Sequence, residues 1–278
     1  MRSSIIGRAL AASLALAAGA RAAPSLEIRG AAARVVVIPE ARPDIAVSII
    51  QANARLPLKV SRFGQTVYVD GDLGHGVKGC PMVAGKAAVR TRDRGTIAGD
   101  DLPRLLIRTP MDARISVGDG VSGAVGRTNT LDFANRGCGD WVFGNVRGHL
   151  RLSEVGAGDL RAGVSRWADL SVAGAGAITT RDVRAGLTVV SSGDGDVAAG
   201  SVHGPLVVRI AGSGDVRVLG GEATTANVSI AGSGSMRLGG LAHALTASVT
   251  GSGYVSVSRV TGPVIRHVFG SGEIQAGR

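Results

Sequence analysis

Apolar and polar side chains alternate along most of this chain, and from Leu131 onward the alternation recurs every 18 to 20 residues. A representative unit places Leu206, Val208 and Ile210 at every second position, then Gly212-Ser213-Gly214, then Val216 and Val218. Period-2 alternation marks a half-buried strand, so each unit predicts strand, corner, strand. Gly-x-Gly marks the corner nine times, beginning at Gly118, Gly137, Gly156, Gly174, Gly193, Gly212, Gly232, Gly251 and Gly270. A period this regular is one structural unit copied along an axis.

Aligned on the second glycine, the units show columns. Two residues on stand Trp141, Leu160, Ile178, Val197, Val216, Met236, Val255 and Ile274; four on stand Phe143, Ala162, Thr180, Ala199, Val218, Leu238, Val257 and Ala276. Ahead of the corner, one column runs through Phe133, Leu152, Leu170, Val189, Val208, Val228 and Ala247. The column two before the corner is apolar except at Asn135, Glu154 and Ser191. The same count places Arg114 and Arg266 on inward positions. A third, shorter column follows at Val146, Val183, Val202, Leu241 and Val260.

A unit of about 19 residues is too short for a propeller blade and lacks the 3.6-residue period of helical repeats. The expected fold is all-β: a right-handed parallel β-helix (β-solenoid) with ~19-residue coils stacked about 4.8 Å apart. Glycine suits its corners because it tolerates positive φ and close backbone approach. A phosphate cradle would need a helix after the glycines, and a strand pattern follows each one.

Residues 24–110 lack the ladder but contain short β-like runs at 34–38, 45–50, 56–60, 66–69 and 105–108, which predict opening coils and an N-terminal β cap. The stretch 71–101, rich in glycine and charge, reads as a loop. The expected organisation is an export signal over 1–22, an N-terminal β region over 23–110 and the repeat solenoid over 111–278, the last two continuous. The signal reading rests on Arg2 and Arg8, the apolar stretch from Ala9 to Ala18, and Ala20-Arg21-Ala22 as a cleavage motif, cut between Ala22 and Ala23. It implies periplasm, cell surface or extracellular space of a bacterium. No later run is apolar and long enough to predict a transmembrane segment.

The chain has 31 basic and 21 acidic residues, and removing Arg2, Arg8 and Arg21 leaves 28 − 21 = +7. The arginines look dispersed. No basic stripe with interleaved aromatics is visible, so nucleic acid is not an expected partner, whereas an anionic envelope or surface polymer is compatible with the charge. The two cysteines, Cys80 and Cys138, predict a disulfide in an exported chain, tying 71–101 to a corner.

The set resembles the auto-transporter adhesin head GIN domain family, a bacterial domain of unknown function. The resemblance rests on the signal, Ala33-Arg-Val-Val-Val-Ile-Pro39, Arg108-Thr-Pro110, and units such as Ile210-Ala-Gly-Ser-Gly-Asp215. It implies an exported β-solenoid and brings no catalytic residues to carry over. The C-terminal membrane barrel of a true autotransporter is not expected here.

Directly after the second glycine stand Asp140, Asp159, Ala177, Asp196, Asp215, Ser235, Tyr254 and Glu273. Asp140 with Asp159, and Asp196 with Asp215, could hold a cation such as Ca²⁺. The simpler expectation is that each accepts backbone N–H at its own corner, with no cofactor. Ser213, Ser233, Ser252 and Ser271 form a column expected to hydrogen-bond along itself. The five histidines occupy different offsets without zinc spacing.

The expected function is an exported, non-enzymatic envelope structural or adhesion/binding module, with self-association through the C-terminal coil. The alternative is a glycan-binding or glycan-active β-helix, which would be marked by an outward patch joining carboxylates to aromatics across neighbouring coils.

Overall fold

The computed structural model describes residues 23–74, 76–83 and 85–278; the predicted signal over 1–22 lies outside them. The chain opens with β1 (Ser25–Arg29), β2 (Ala32–Glu40), β3 (Ala46–Gln51), β4 (Lys59–Phe63) and β5 (Thr66–Asp70). An antiparallel excursion follows: β6 (Val77–Gly79), β7 (Met82–Val83), β8 (Lys86–Thr91) and β9 (Gly95–Ala98). Then come β10 (Arg104–Pro110), β11 (Asp112–Val117), β12 (Gly120–Val125), β13 (Thr130–Asn135), β14 (Trp141–Phe143), β15 (His149–Glu154), β16 (Asp159–Ala162) and β17 (Ser165–Val172). The long strands β18 (Ala177–Ser191), β19 (Val197–Gly212) and β20 (Asp215–Gly232) bend between walls. β21 (Ser235–Ala242), β22 (Leu245–Gly251), β23 (Tyr254–Val260), β24 (Val264–Gly270) and β25 (Glu273–Ala276) complete the chain.

The result is a β-solenoid. One wall stacks β5, β1, β11, β13, β15, β17, the second halves of β18, β19 and β20, then β22 and β24, all in parallel. The other stacks β10, β2, β12, β14, β16, the first halves of β18, β19 and β20, then β21, β23 and β25. A short third side closes each coil.

The predicted inward columns form the core. Trp141, Leu160, Ile178, Val216 and Val255 are buried on one wall; Phe133, Leu152, Leu170, Val189 and Val208 are buried on the other. Fully burying one such aliphatic stabilises by about 1.5–3 kcal/mol, so the columns hold the stack together without a helix. Phe133 packs between Trp141 and Phe143, with centroids 4.9 and 4.7 Å away, and the Trp141 indole N–H donates to the Val121 carbonyl at 2.9 Å.

The order of rungs at the start differs from the order of the chain. β1 and β2 form the second rung; β5 and β10 lie outside them and are made later. The outermost parallel strands are each covered by an antiparallel one, β4 on β5 and β3 on β10. These are the predicted cap, and they cover backbone groups that would otherwise template further pairing. At the far end, β24 is exposed throughout. Val264 and Val268 are 37% and 42% exposed, where their stacking partners Leu245 and Val249 are buried.

Three expectations are corrected. Arg114 points outward, between buried Ala113 and Ile115, because the first corner is one residue out of register: Gly137 stacks on Asp119, not on Gly118. Asp119 accordingly carries the positive φ there, at 63°. In the third column Ala242, not Leu241, is buried, since Ala242 stacks between Ala223 and Val260. The stretch 71–101 is a small antiparallel sheet with a satellite core of Ala32, Leu56, Val89, Ile97 and Leu102.

From Gly139 onward the second glycine of each corner is required by stacking. A Cβ on Gly176 would lie 2.2 Å from the Gly158 carbonyl oxygen, and one on Gly195 2.3 Å from that of Gly176. The first glycines of the last four corners, Gly212, Gly232, Gly251 and Gly270, add a positive φ that L-residues rarely adopt.

Candidate functional site

The aspartate column is built into the stack. The Asp159 backbone N–H donates to Asp140 Oδ1 at 2.9 Å, and the Asp215 N–H donates to Asp196 Oδ1 at 2.8 Å. Each acceptor therefore serves the next coil rather than its own corner. Asp215 extends the ladder by accepting from the Ser235 N–H and hydroxyl, and Asp159 pairs with Arg161 at 2.6 Å. Among the described residues no group of three or more His, Cys, Asp or Glu side chains is placed to hold a metal ion. The serine column does not bond along itself among the described residues: Ser213 donates to Asp194 instead.

One carboxyl is inside the rod. Glu154 is fully buried and accepts from Asn135 Nδ2 at 2.7 Å and from the Gly156 N–H at 2.8 Å. Burial pushes it up to about 7, opposed by the bonds from Asn135, Gly156 and Gly158 and assisted by the nearby Asp159 charge. Asn135 also donates to the Gly139 carbonyl and accepts from the Gly137 N–H, so the pair braces two successive corners.

Cys80 and Cys138 form the predicted disulfide, bridging 58 residues. It ties the excursion to the corner after β13. Ala23 precedes β1; Ala22 and His75 lie outside the described residues.

Exposed arginines on the two walls meet carboxylates. Arg114 reaches Asp132 at 3.4 Å, Arg151 lies between Asp132 and Asp169, Arg161 meets Asp159, and Arg237 meets Asp215. His149 joins the ladder at 3.0 Å from Asp169. A groove of about 260 Å³ runs beside Arg114, Asp132, His149 and Arg151.

The third side differs. Arg147, Arg166, Arg184 and His203 each directly follow the buried residue of the third column, Val146, Ser165, Val183 and Val202, so the four stack one per coil; Arg127 flanks them beside Thr128. All five are exposed. None of the four arginines has a carboxylate within ion-pair distance among the described residues. The nearest acidic residue in sequence, Asp182, accepts from Ser201 of the next coil. The four arginines line a groove of about 520 Å³ with Met111, Val146, Val164 and Ala185. Beneath them Thr128 and Ser165 take buried column positions, and their hydroxyls have no hydrogen-bond partner among the described residues. All four stand eight residues after the second glycine of their unit, so the ladder itself carries the signal that could have found the row.

Beside the row, Trp167 is 42% exposed and stands opposite His149 in the register. Its ring rests against Gly186, where a Cβ would lie 2.4 Å from it. Trp167 and Asp169, both on β17, form an outward patch with His149 and Arg151 of the preceding coil; the aromatic and the carboxylate share one coil, so the patch is not the cross-coil arrangement named above.

Comparison with curated proteins returns no match. Among solved structures, the chain is similar to a "putative lipid binding protein" from Parabacteroides distasonis, at 14% identity and TM-score 0.52, covering 92% of this chain and 93% of that one. It is similar also to a "putative adhesin" from the same organism, at 13% identity and TM-score 0.52 with the same coverage. At such identities the likeness is one of fold. The sequence periodicity, the stacked corners and the fold of these neighbours agree with a family match: residues 159–277 match the family described as "Putative auto-transporter adhesin, head GIN domain".

Proposed function

We propose that this protein is an exported adhesion or binding module that presents a rigid β-solenoid to an envelope or surface polymer and catalyses no reaction. The observation that carries the reading is the family match over 159–277 on a rod whose outward carboxylates are spent on its own stacking and ion pairs. The disulfide supports export, since such bonds persist in oxidising compartments. The protein, purified after export, is expected to be retained on isolated bacterial envelope fragments and to bind members of a glycan array. Retention no better than that of an unrelated β-solenoid on both would contradict it.

Within this reading a glycan is the favoured polymer. The patch of Trp167, His149, Arg151 and Asp169 offers an apolar ring edge beside polar groups that can hydrogen-bond hydroxyls. Self-association through β24 is a separate proposal, supported by its exposed Ile265, Val268 and Phe269. Light scattering that reads a monomer at high concentration would contradict it.

A further inference from the structure

We propose that the groove on the third side holds an extended anionic glycan, whose sulfate, phosphate or carboxylate groups sit on Arg147, Arg166 and Arg184. This rests on the reading of the chain as a binding module and adds the site and the charge of the ligand.

Strand stacking fixes these arginines about 4.8 Å apart per coil. Like charges at that spacing repel, and no carboxylate of the described chain offsets them, unlike at Arg114, Arg151, Arg161 and Arg237 on the walls. A polyanion lying along the axis removes that repulsion. Each guanidinium presents a fork of donors matched to an oxyanion. The row runs over several coils, and the groove of about 520 Å³ follows it, so the site suits a repeating chain better than one compact anion. The partly exposed Val164 and Ala185 between the charges give sugar faces somewhere to lie. Trp167, held against Gly186 at the edge of the row, adds a platform for a further sugar.

The test uses protein purified after export and three probes: dextran sulfate, uncharged dextran and phosphatidylglycerol vesicles. Wild type is expected to bind dextran sulfate, more weakly as salt rises, and to ignore uncharged dextran. R147E/R166E is expected to lose at least tenfold in affinity with its melting temperature retained. R209E/R217E, which removes two wall arginines without ion pairs, is expected to lose less than threefold, and W167A to lose severalfold. Equal losses in the two double variants would reduce the effect to net charge and overturn the site. So would no binding of dextran sulfate, or arginine-dependent capture of vesicles alone. If R147E/R166E still binds array glycans as wild type does, the groove falls and the binding module stands; if wild type binds no array glycan or envelope fragment, the module reading itself falls.

Discussion

On the walls several neighbouring arginines meet carboxylates: Arg114 reaches Asp132, and Arg151 bridges Asp132 and Asp169 on adjacent coils. On the third side Arg147, Arg166 and Arg184 stack with only one another and His203 for neighbours in the row. Residue type and coil spacing are the same, and the surroundings differ. These wall pairs use charge to close the stack on itself, whereas the row of Arg147, Arg166 and Arg184 leaves charge directed outward. A repeat protein offers every outward position many times over, so a site is found where the repeat stops compensating itself.

The largest expected effect contrasts a wall corner with the turn into the third side. Gly195→Ala puts a methyl 2.3 Å from the Gly176 carbonyl oxygen and 2.4 Å from Val172, and is expected to cost 4 kcal/mol or more, on the order of the largest single-site losses. Gly200→Ala meets nothing closer than 3.4 Å and is expected to change stability by less than about 1 kcal/mol. Denaturant unfolding of the two variants measures the difference; equal losses would mean that coil approach does not set the glycines.

Opening the disulfide with C80S/C138S is expected to cost about 2–4 kcal/mol. Hydrogen exchange should locate the loss in 71–101 rather than in the walls.

Glu154 sets a pH dependence. Its folded-state value of about 7 lies above the ordinary 4.5, so the native state binds the proton more tightly than the unfolded chain. Its contribution is complete below about pH 4.5 and lost as pH rises through 7, by up to about 3 kcal/mol. Glu154→Gln is expected to flatten the fall in stability between pH 5 and 8. An unchanged slope would remove Glu154 as its source.

The smallest effects have opposite signs. R114Q/R151Q is expected to lower stability by no more than about 1 kcal/mol, because it breaks wall ion pairs. R147Q/R166Q is expected to raise it by a few tenths of a kcal/mol at low salt, because it relieves repulsion, and 0.5 M salt should erase both shifts. Losses of the same sign would show that the third-side arginines are compensated after all.

Most of the fold is legible in the sequence because parallel stacking repeats its demands: the columns through Trp141, Phe133 and Val208 need only alignment on the corners. The threaded opening rung is not legible, since β1 and β2 carry no mark of strands that will later cover them. The excursion reads as a loop because its sheet is short and its core is borrowed from Ala32 and Leu56. Arg114 misleads by one residue because Asp119 takes the place of a corner glycine. The candidate site is hidden for a different reason. Arg147, Arg166, Arg184 and His203 each stand eight residues after the second glycine of their unit, but only four units carry them, and among arginines spread along the chain the row reads as dispersed charge until the stack places it on one side.

The most direct test of the contrast between walls and third side is hydrogen–deuterium exchange of the whole protein with and without dextran sulfate. Added protection is expected at 127–129, 145–148, 164–167 and 184–186, with the Asp132 and Asp215 ladders unchanged. Protection spread along the walls, or absent from the third side, would contradict the account.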